Sequence, residues 1–311
     1  MKSTEFFIRT FREAPADATI ASHRLLVQAG LIRKQGSGHY HLLPAGLRSI
    51  RKVEAVIREE MNAAGAIEFQ LPQMIPAELW QKSGRYQAMG KELFRLADRH
   101  GNWNVMGPTH EESFADLLCG LVRSYKELPL NLYQIQTKFR DEIRPRYGMI
   151  RSREFIMKDA YSFHRDEKNL REIYEVMRRA YRKIFERLSL GTIAVEADSG
   201  AMGGARSEEF MIACDVGEEV LLVGPDYAGN REKTSVEYPK SKSVAPAAGD
   251  KVATPGKKTI EEVAEFLGVK PEGMIKAVAY ASGERLIIVF LRADREVNEA
   301  KLKALLAVTE L

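Results

Sequence analysis

Arginines and carboxylates are concentrated around one glycine-bearing turn near the middle of the 311-residue chain. The stretch Thr137–His164 holds five arginines, among them Arg140 and Arg151, together with Glu142 and Phe155. A guanidinium group makes paired, charge-assisted hydrogen bonds to phosphate or carboxylate oxygens and does not deprotonate. Glu142 can accept from an amino group such as that of adenine, and the Phe155 ring can stack on a base. The pattern predicts a hairpin that binds a nucleotide, and its alternative is a salt-bridged surface hairpin.

Two strands are predicted to carry this turn between them, joined by the loop 143–150. In the first, residues 131–144, alternation places four polar side chains on one face: Gln136, Lys138, Arg140 and Glu142. A charged face within a strand favours a strand that lines a cavity. In the second strand, residues 151–163, one face carries Arg151, Arg153, Phe155, Met157 and Asp159.

The segment GPTHEE, residues 107–112, is predicted to open a helix. Thr109 and Glu112 have the spacing of a capping box, which gives Thr109 a purely structural interpretation. That interpretation does not account for Glu111. Farther upstream, apolar residues at helical spacing predict a helix that Gly65 stops, followed by a strand that ends at Pro72. Neither a phosphate-binding GxxxxGK[ST] loop nor a GxGxxG turn after a strand occurs.

Composition and cysteine usage limit the class of protein. The 47 basic and 43 acidic residues give a net charge of +4, which is too mild for a histone-like binder. Cys119 and Cys214 are the only cysteines, so a disulfide framework or a cysteine-ligated zinc is not expected. The N-terminus lacks the pattern of a signal peptide, and no run approaches the ~20 apolar residues of a membrane span. A cytoplasmic protein with no membrane association is predicted.

Composition changes near the C-terminal end. Residues 239–258 are rich in Pro, Ala, Ser and Lys, which is typical of a linker. Beyond them, Thr259 and Glu262 have capping-box spacing, and a helix, a hairpin and a second helix are predicted. About fifty residues with two strands make a thin core for an independent domain, so we expect the chain to stop within a domain.

Four segments together resemble a known family. FRDEIRPRYGMIRSREFIMKDAYSF (139–163) resembles motif 2 of the class II aminoacyl-tRNA synthetases in the form found in the bacterial-type prolyl-tRNA synthetases. GLRSIRKVEAVIREEMNAAGAIEFQLP (46–72) resembles motif 1 of this group, and GPTHEE resembles its threonine-x-glutamate loop. The tail from about Lys257 resembles the start of the editing domain that these enzymes insert between motifs 2 and 3.

The resemblance implies an α+β fold with a class II synthetase-like antiparallel sheet flanked by helices, followed by the start of an inserted α/β editing domain. The implied limits are 1–225 for the first part of the catalytic domain, 226–258 for a linker and 259–311 for the incomplete editing domain. It implies ATP-dependent activation of proline, with Mg²⁺ bridging the phosphates, and transfer to tRNA(Pro). It also implies editing of alanyl-tRNA(Pro) and a homodimer formed through motif 1.

The same resemblance assigns roles to individual residues. Arg140 is the implied catalytic residue, because it would bridge the proline carboxylate and the α-phosphate. The implied proline-binding residues are Thr109, Glu111, Met157, Phe163 and His164. The implied ATP-binding residues are Arg140, Glu142, Arg151 and Phe155, and no residue is assigned to a metal. Lys276, on a short apolar strand, is implied in editing, whereas taken alone it would be a solvated lysine.

Three departures from the family pattern remain. Motif 3 and the anticodon-binding domain do not occur in these 311 residues. We therefore expect the chain alone to be nearly inactive, as a fragment or a truncated gene product. Glu208 stands where the family usually has His, so that loop receives no substrate role. Two alternatives stay open: a paralogue that adenylates another small acid without tRNA, and a non-catalytic relative that acts as a binding module.

Overall fold

A computed structural model describes residues 5–197, 207–231, 234, 251–283, 285–306 and 308. The chain divides into two compact units, residues 1–192 and 193–311. Within the described ranges, no helix combines the length and the apolar character that a membrane span requires.

The first unit contains six α-helices and eight strands among its described residues. The helices are α1 (Ala21–Gln28), α2 (Pro44–Ala63), α3 (Ala77–Lys82), α4 (Arg85–Ala88), α5 (Glu111–Leu121) and α6 (Glu167–Arg187). The strands are β1 (Ile32–Gly36), β2 (His39–Leu42), β3 (Ile67–Glu68), β4 (Met74–Pro76), β5 (Arg95–Ala97), β6 (Trp103–Met106), β7 (Leu130–Phe139) and β8 (Glu154–Phe163).

The sheet β3–β7–β8 is the centre of this unit. β7 and β8 pair antiparallel along their whole length, from Leu130 opposite Phe163 to Phe139 opposite Glu154. Alternate side chains of β7 enter two different apolar clusters. Tyr133 packs with Met61 of α2 and with side chains of α6, whereas Leu132 packs with Phe114 of α5. Helices therefore cover both faces of the hairpin, which agrees with the predicted antiparallel sheet flanked by helices.

The predicted helix before Gly65 is confirmed as α2. Pro44 occupies its first turn, where a missing N–H costs no hydrogen bond. Gly65 has a φ of +77° just past its end, a conformation that glycine adopts without the penalty other residues incur. The strand predicted after it is short, because only Ile67–Glu68 pairs with β7.

A second sheet, β4–β6–β5, is antiparallel throughout. It packs around Trp80, which is fully buried together with Ile75 and Val105. This cluster anchors α3 and α4, so the segment that carries Arg85 lies next to the beginning of α5. The smaller sheet β1–β2 is a separate hairpin.

Three predictions about the central hairpin are wrong. β7 ends at Phe139, so Arg140 and Glu142 follow the strand and do not extend its polar face. Gln136 and Lys138 do not line a cavity, because both are buried and hydrogen-bonded within the protein. β8 begins only at Glu154, which leaves Arg151 in the connecting segment.

The predicted capping box at the start of α5 is also wrong. His110 is the N-cap residue, and it makes no side-chain capping bond. Thr109 donates to the Glu111 carboxylate, and Glu112 accepts from Ser83 and Arg85. Thr109 and Glu112 therefore bond to other side chains instead of to the backbone N–H groups at the start of the helix.

The second unit contains a four-stranded sheet and a separate hairpin among its described residues. The sheet has the order β10 (Ser207–Met211), β9 (Ile193–Ala197), β12 (Ala228–Asn230) and β11 (Leu221–Val223). The hairpin joins β13 (Ile275–Ser282) to β14 (Arg285–Arg292), between α7 (Ile260–Leu267) and α8 (Glu299–Leu306). The capping box of Thr259 and Glu262 is confirmed at α7.

The stretch predicted as a linker, 226–258, begins with β12. Its residues 232–233 and 235–250 lie outside the described residues, as does the Gly-rich turn 198–206 before Glu208. The predicted domain limits stay a prediction.

Candidate active site

A cleft of about 560 Å³ opens beside the loop end of the β7–β8 hairpin. The β1–β2 hairpin and α2 form one side of it through residues such as Tyr40 and Ile50. The other side contains the four residues predicted to bind ATP: Arg140, Glu142, Arg151 and Phe155. The structure therefore brings this predicted set together around one cavity.

Arg140 has few bonds to the protein itself. Its guanidinium carbon lies 5.5 Å from the centre of the Phe155 ring, and Nη2 donates to the Pro108 carbonyl at 3.5 Å. Its buried Nε has no hydrogen-bond partner among the described residues. Most of the donor capacity of this guanidinium is thus unused by the fold and is available to an anion. Arg140 also lies between the cleft and the Thr109 loop, because Pro108 precedes Thr109.

Glu142 and Arg151 form an ion pair beside the cleft, with Arg151 Nε 2.9 Å from Glu142 Oε2. The side chain of Glu142 is 17% exposed and that of Arg151 is 43% exposed. The loop between them is held by Arg153, whose Nε donates to the Glu142 carbonyl at 3.2 Å and pairs with Asp141. These bonds fix the position of the Glu142 carboxylate beside the cleft.

Thr109 and Glu111 follow Pro108, whose carbonyl accepts from Arg140, and neither of them lines the cleft. The Thr109 hydroxyl donates to Glu111 Oε2 at 2.5 Å. Arg85 Nη1 donates to the same oxygen at 3.1 Å and to Glu112, whose side chain is only 6% exposed. Thr109 and the Glu111 carboxylate, held in this way, offer a binding site to a substrate ammonium group.

A buried polar network lies behind Thr109. Tyr161 Oη is 3.1 Å from Thr109 Oγ1 and donates to Asp159 at 2.6 Å. Burial raises the pKa of Tyr161 far above its ordinary value, so the phenol stays protonated. Lys138 and His110 complete the network, and burial lowers the pKa of each.

The sequence analysis missed the residues that hold this site from behind: Arg85, His110, Lys138, Asp159 and Tyr161. Lys138 and Asp159 were placed on the polar faces of their strands, but their burial was not foreseen. The signal was available, since a lysine and an aspartate on facing strands of one hairpin satisfy each other when buried. No sequence pattern links Arg85 to Glu111, because the two residues are distant in sequence.

The three remaining residues predicted to bind proline are spread along β8. Met157 is opposite Gln136, on the same face of the hairpin as Asp159 and Tyr161. Phe163 packs against the apolar cluster of Leu71 and Phe114, at the far end of the strand, about 20 Å from Met157 at 3.3 Å per residue. His164 accepts or donates a bond to Ser162 at 2.8 Å. The structure thus does not bring Phe163 and His164 to Arg140.

Lys276 lies on the half-buried face of β13, and its Nζ is 2.7 Å from Glu296 Oε1. The opposite face of the hairpin is apolar and exposed, with Ile275 75% exposed and Phe290 71% exposed. The lysine therefore faces away from the apolar side and has an anionic partner. Its predicted part in editing stays a prediction.

The described residues contain no group of three or more His, Cys, Asp or Glu side chains that could hold a metal ion. A magnesium ion that arrives with a nucleotide needs no such group, because it keeps waters and takes phosphate oxygens as ligands.

Two family profiles match this chain. The profile described as "tRNA synthetase class II core domain (G, H, P, S and T)" matches residues 94–249, about half of the chain. The chain belongs to the class II tRNA synthetases. A second profile, "Aminoacyl-tRNA editing domain", matches residues 254–311. The family and the fold class expected from motif 2 are thereby confirmed.

Curated relatives of this class II synthetase chain carry the name proline–tRNA ligase. That of Leptospira interrogans serovar Lai is 55% identical over 313 residues, which cover 100% of this chain and 54% of the relative. That of Oleidesulfovibrio alaskensis is 52% identical and is covered to 55%. The chain thus spans about half the length of the curated relatives it matches.

Solved structures of distant synthetases share the fold. Prolyl-tRNA synthetase of Giardia lamblia, in complex with prolyl-adenylate, gives a TM-score of 0.54 at 23% identity over 57% of this chain and 38% of its own. Prolyl-tRNA synthetase of Cryptosporidium parvum, complexed with L-proline and AMP, gives 0.55 at 17% identity over 64% of this chain and 41% of its own.

Proposed function

We propose that the complete protein carrying this chain is a proline–tRNA ligase. It activates proline with ATP to prolyl-adenylate and transfers the prolyl group to tRNA(Pro). The single observation that carries this proposal is the position of Arg140, with unused donors, between the ATP-type cleft and the Thr109–Glu111 pair. Similarity to proline–tRNA ligases at 55% identity supports the choice of substrate.

In the first step, the proline carboxylate attacks the α-phosphorus of ATP. A carboxylate–phosphorus anhydride bond forms, the bond to the β-phosphate breaks, and pyrophosphate leaves. Arg140 stabilises the negative charge that develops on the α-phosphate oxygens, while Arg151 lies nearer the distal phosphates. No general base is needed, because the attacking carboxylate is already ionised, so positioning supplies most of the rate enhancement.

The substrate groups are assigned to the two sides of Arg140. The secondary ammonium of proline binds Thr109 and Glu111, and Met157 borders its ring. The adenine binds at Glu142 and stacks on Phe155, which is half-buried at the cleft. Phe163 and His164 stay proposed as proline-binding residues, and Phe163 packs in the same apolar cluster as Tyr161, whose hydroxyl is 3.1 Å from Thr109 Oγ1. Magnesium enters with the ATP phosphates.

We also propose a homodimer formed through the motif 1 region, α2 and β3. β3 is an edge strand of the central sheet, and Ile67 on it is 52% exposed. An apolar side chain at a free sheet edge is a candidate for burial by a second copy. We further propose a cytoplasmic location and, from the editing-domain match, hydrolysis of alanyl-tRNA(Pro) with Lys276 at that site.

Amino acid-dependent exchange of pyrophosphate into ATP tests the activity. We expect the complete protein to exchange with proline at a kcat/KM above that for every other amino acid. A different preferred amino acid would refute the proposal. The paralogue without tRNA predicts proline or acid activation with no aminoacylation of tRNA(Pro), so charging of that tRNA separates the two functions.

A further inference from the structure

Lys138 is fully buried near the C-terminal end of β7, the central strand of its sheet. Lysine is almost never completely buried unless it is paired, and removing an ammonium group from water costs several kcal/mol even after relaxation. A buried ion pair seldom adds stability over an apolar pair of the same size. The presence of this lysine at the centre of the sheet therefore calls for a role other than stability.

The hydrogen bonds around Lys138 determine which atom is the donor and which the acceptor in each contact. His110 Nε2 donates to the Pro72 carbonyl at 3.0 Å, so the neutral ring accepts from Lys138 at Nδ1, 2.5 Å away. Lys138 also donates to Asp159 Oδ2 at 2.9 Å. Burial and the charge of Lys138 lower the pKa of His110, which keeps its ring neutral in this arrangement.

Asp159 Oδ2 also accepts the hydrogen bond that the Tyr161 hydroxyl donates. That oxygen accepts from Tyr161 Oη at 2.6 Å and from Gln134 Nε2 at 2.9 Å. Tyr161 Oη in turn accepts from the backbone N–H of His110 at 2.8 Å. A phenol has one O–H group, so Tyr161 cannot also donate to Thr109 while it donates to Asp159.

The Thr109 hydroxyl donates its own proton to Glu111 Oε2 at 2.5 Å, because a charged carboxylate is a stronger acceptor than Tyr161 Oη at 3.1 Å, which already accepts from the His110 N–H. With the proton directed there, the lone pairs of Thr109 Oγ1 and the Glu111 carboxylate both act as acceptors. A secondary ammonium carries two N–H donors, and these two acceptors match that number.

We propose, on the basis of the proline-activating function proposed above, that Lys138, Asp159 and Tyr161 are positioning residues. Tyr161 is held by Asp159 and Lys138, accepts from the backbone N–H of His110 and lies 3.1 Å from Thr109 Oγ1, so the three fix the position of Thr109. Thr109 and Glu111 then accept hydrogen bonds from the two N–H groups of the substrate's imino group. None of the three touches the substrate or lines the ATP-type cleft. Their contribution therefore falls on the binding of proline and not on that of ATP.

The direct test is Tyr161→Phe in the complete protein, assayed by proline-dependent pyrophosphate exchange. We expect the KM for proline to rise about tenfold, in line with the loss of one hydrogen bond, while the KM for ATP and kcat stay within about twofold. Tyr181→Phe is the matched control. It removes the same atom from the partner of Lys158 at 2.6 Å, in the same unit and against the same strand, and should change neither KM.

A double-mutant cycle separates positioning from simple packing. If Tyr161 acts through Thr109, Tyr161→Phe adds nothing to the rise in proline KM that Thr109→Val causes alone. Additive effects of the two changes, or an equal rise of both KM values in Tyr161→Phe, would overturn the proposal. If Lys138→Met fails to fold, Tyr161→Phe still decides the question, because it removes a single oxygen.

The wild-type assay distinguishes the two levels of failure. A wild-type protein without proline-dependent exchange refutes the proposed function. An active wild type with an unchanged proline KM in Tyr161→Phe refutes only the positioning role.

Discussion

Replacement of Arg140 by alanine separates catalysis from stability, because the fold makes little use of this side chain. Among the described residues, its side chain makes one hydrogen bond, a long one of 3.5 Å to the Pro108 carbonyl, and its guanidinium lies 5.5 Å from the centre of the Phe155 ring. A cation–π contact of this kind is worth about 0.5–1 kcal/mol. The loss should lower the thermal midpoint by no more than about 4 °C.

The catalytic loss should be much larger. A donor directed at the charge that develops in the transition state is worth about 3 kcal/mol or more. At about 1.36 kcal/mol per factor of ten, kcat/KM for proline-dependent exchange should fall more than about 100-fold. Arg140→Lys should recover only part of the lost kcat/KM, because lysine keeps the positive charge but not the planar guanidinium with its paired donors.

Arg144→Ala is the matched control, since it removes an exposed arginine four residues farther along the same loop. It should leave exchange unchanged. A fall of less than about tenfold in Arg140→Ala, or an equal fall in Arg144→Ala, would refute the assignment of Arg140 to the reacting phosphate.

Glu142→Ala should raise the KM for ATP about tenfold or more in exchange assays and leave the KM for proline unchanged, because a charged hydrogen bond to adenine is lost; a change in proline KM instead would contradict it. Lys276→Ala should abolish hydrolysis of alanyl-tRNA(Pro) while proline activation stays near wild type, and loss of both activities would indicate a structural lysine. Ile67→Lys should shift the mass measured by light scattering from dimer to monomer, and an unchanged mass would place the interface elsewhere. Gly148→Ala should raise the KM for ATP, because Gly148 has a φ of +65° and an added Cβ would lie 2.8 Å from the His23 ring; unaltered kinetics would show that the loop tip adapts.

Local sequence signals predicted the elements whose causes are local. Pro44 and Gly65 bound α2 because each fits one special backbone position, and the Thr259–Glu262 capping box needs only neighbouring residues. The alternation that put Phe155 and Met157 on one face of β8 is likewise a property of the strand itself. These features could be read from the sequence without knowledge of the rest of the fold.

The site predictions failed where distant partners decide the outcome. Thr109 and Glu112 have perfect spacing for a capping box, yet Glu111 and Arg85 offer charged bonds that a local cap cannot match. Lys138 looked like a cavity-lining residue, because its burial depends on Asp159 and His110 from other elements.

A crystal structure of the complete protein with proline and a non-hydrolysable ATP analogue tests the central claim most directly. We predict the imino nitrogen at about 3 Å from both Thr109 Oγ1 and a Glu111 carboxylate oxygen, with Arg140 bonded to the α-phosphate. Proline bound away from Thr109 and Glu111, or an α-phosphate that Arg140 does not touch, would contradict the account.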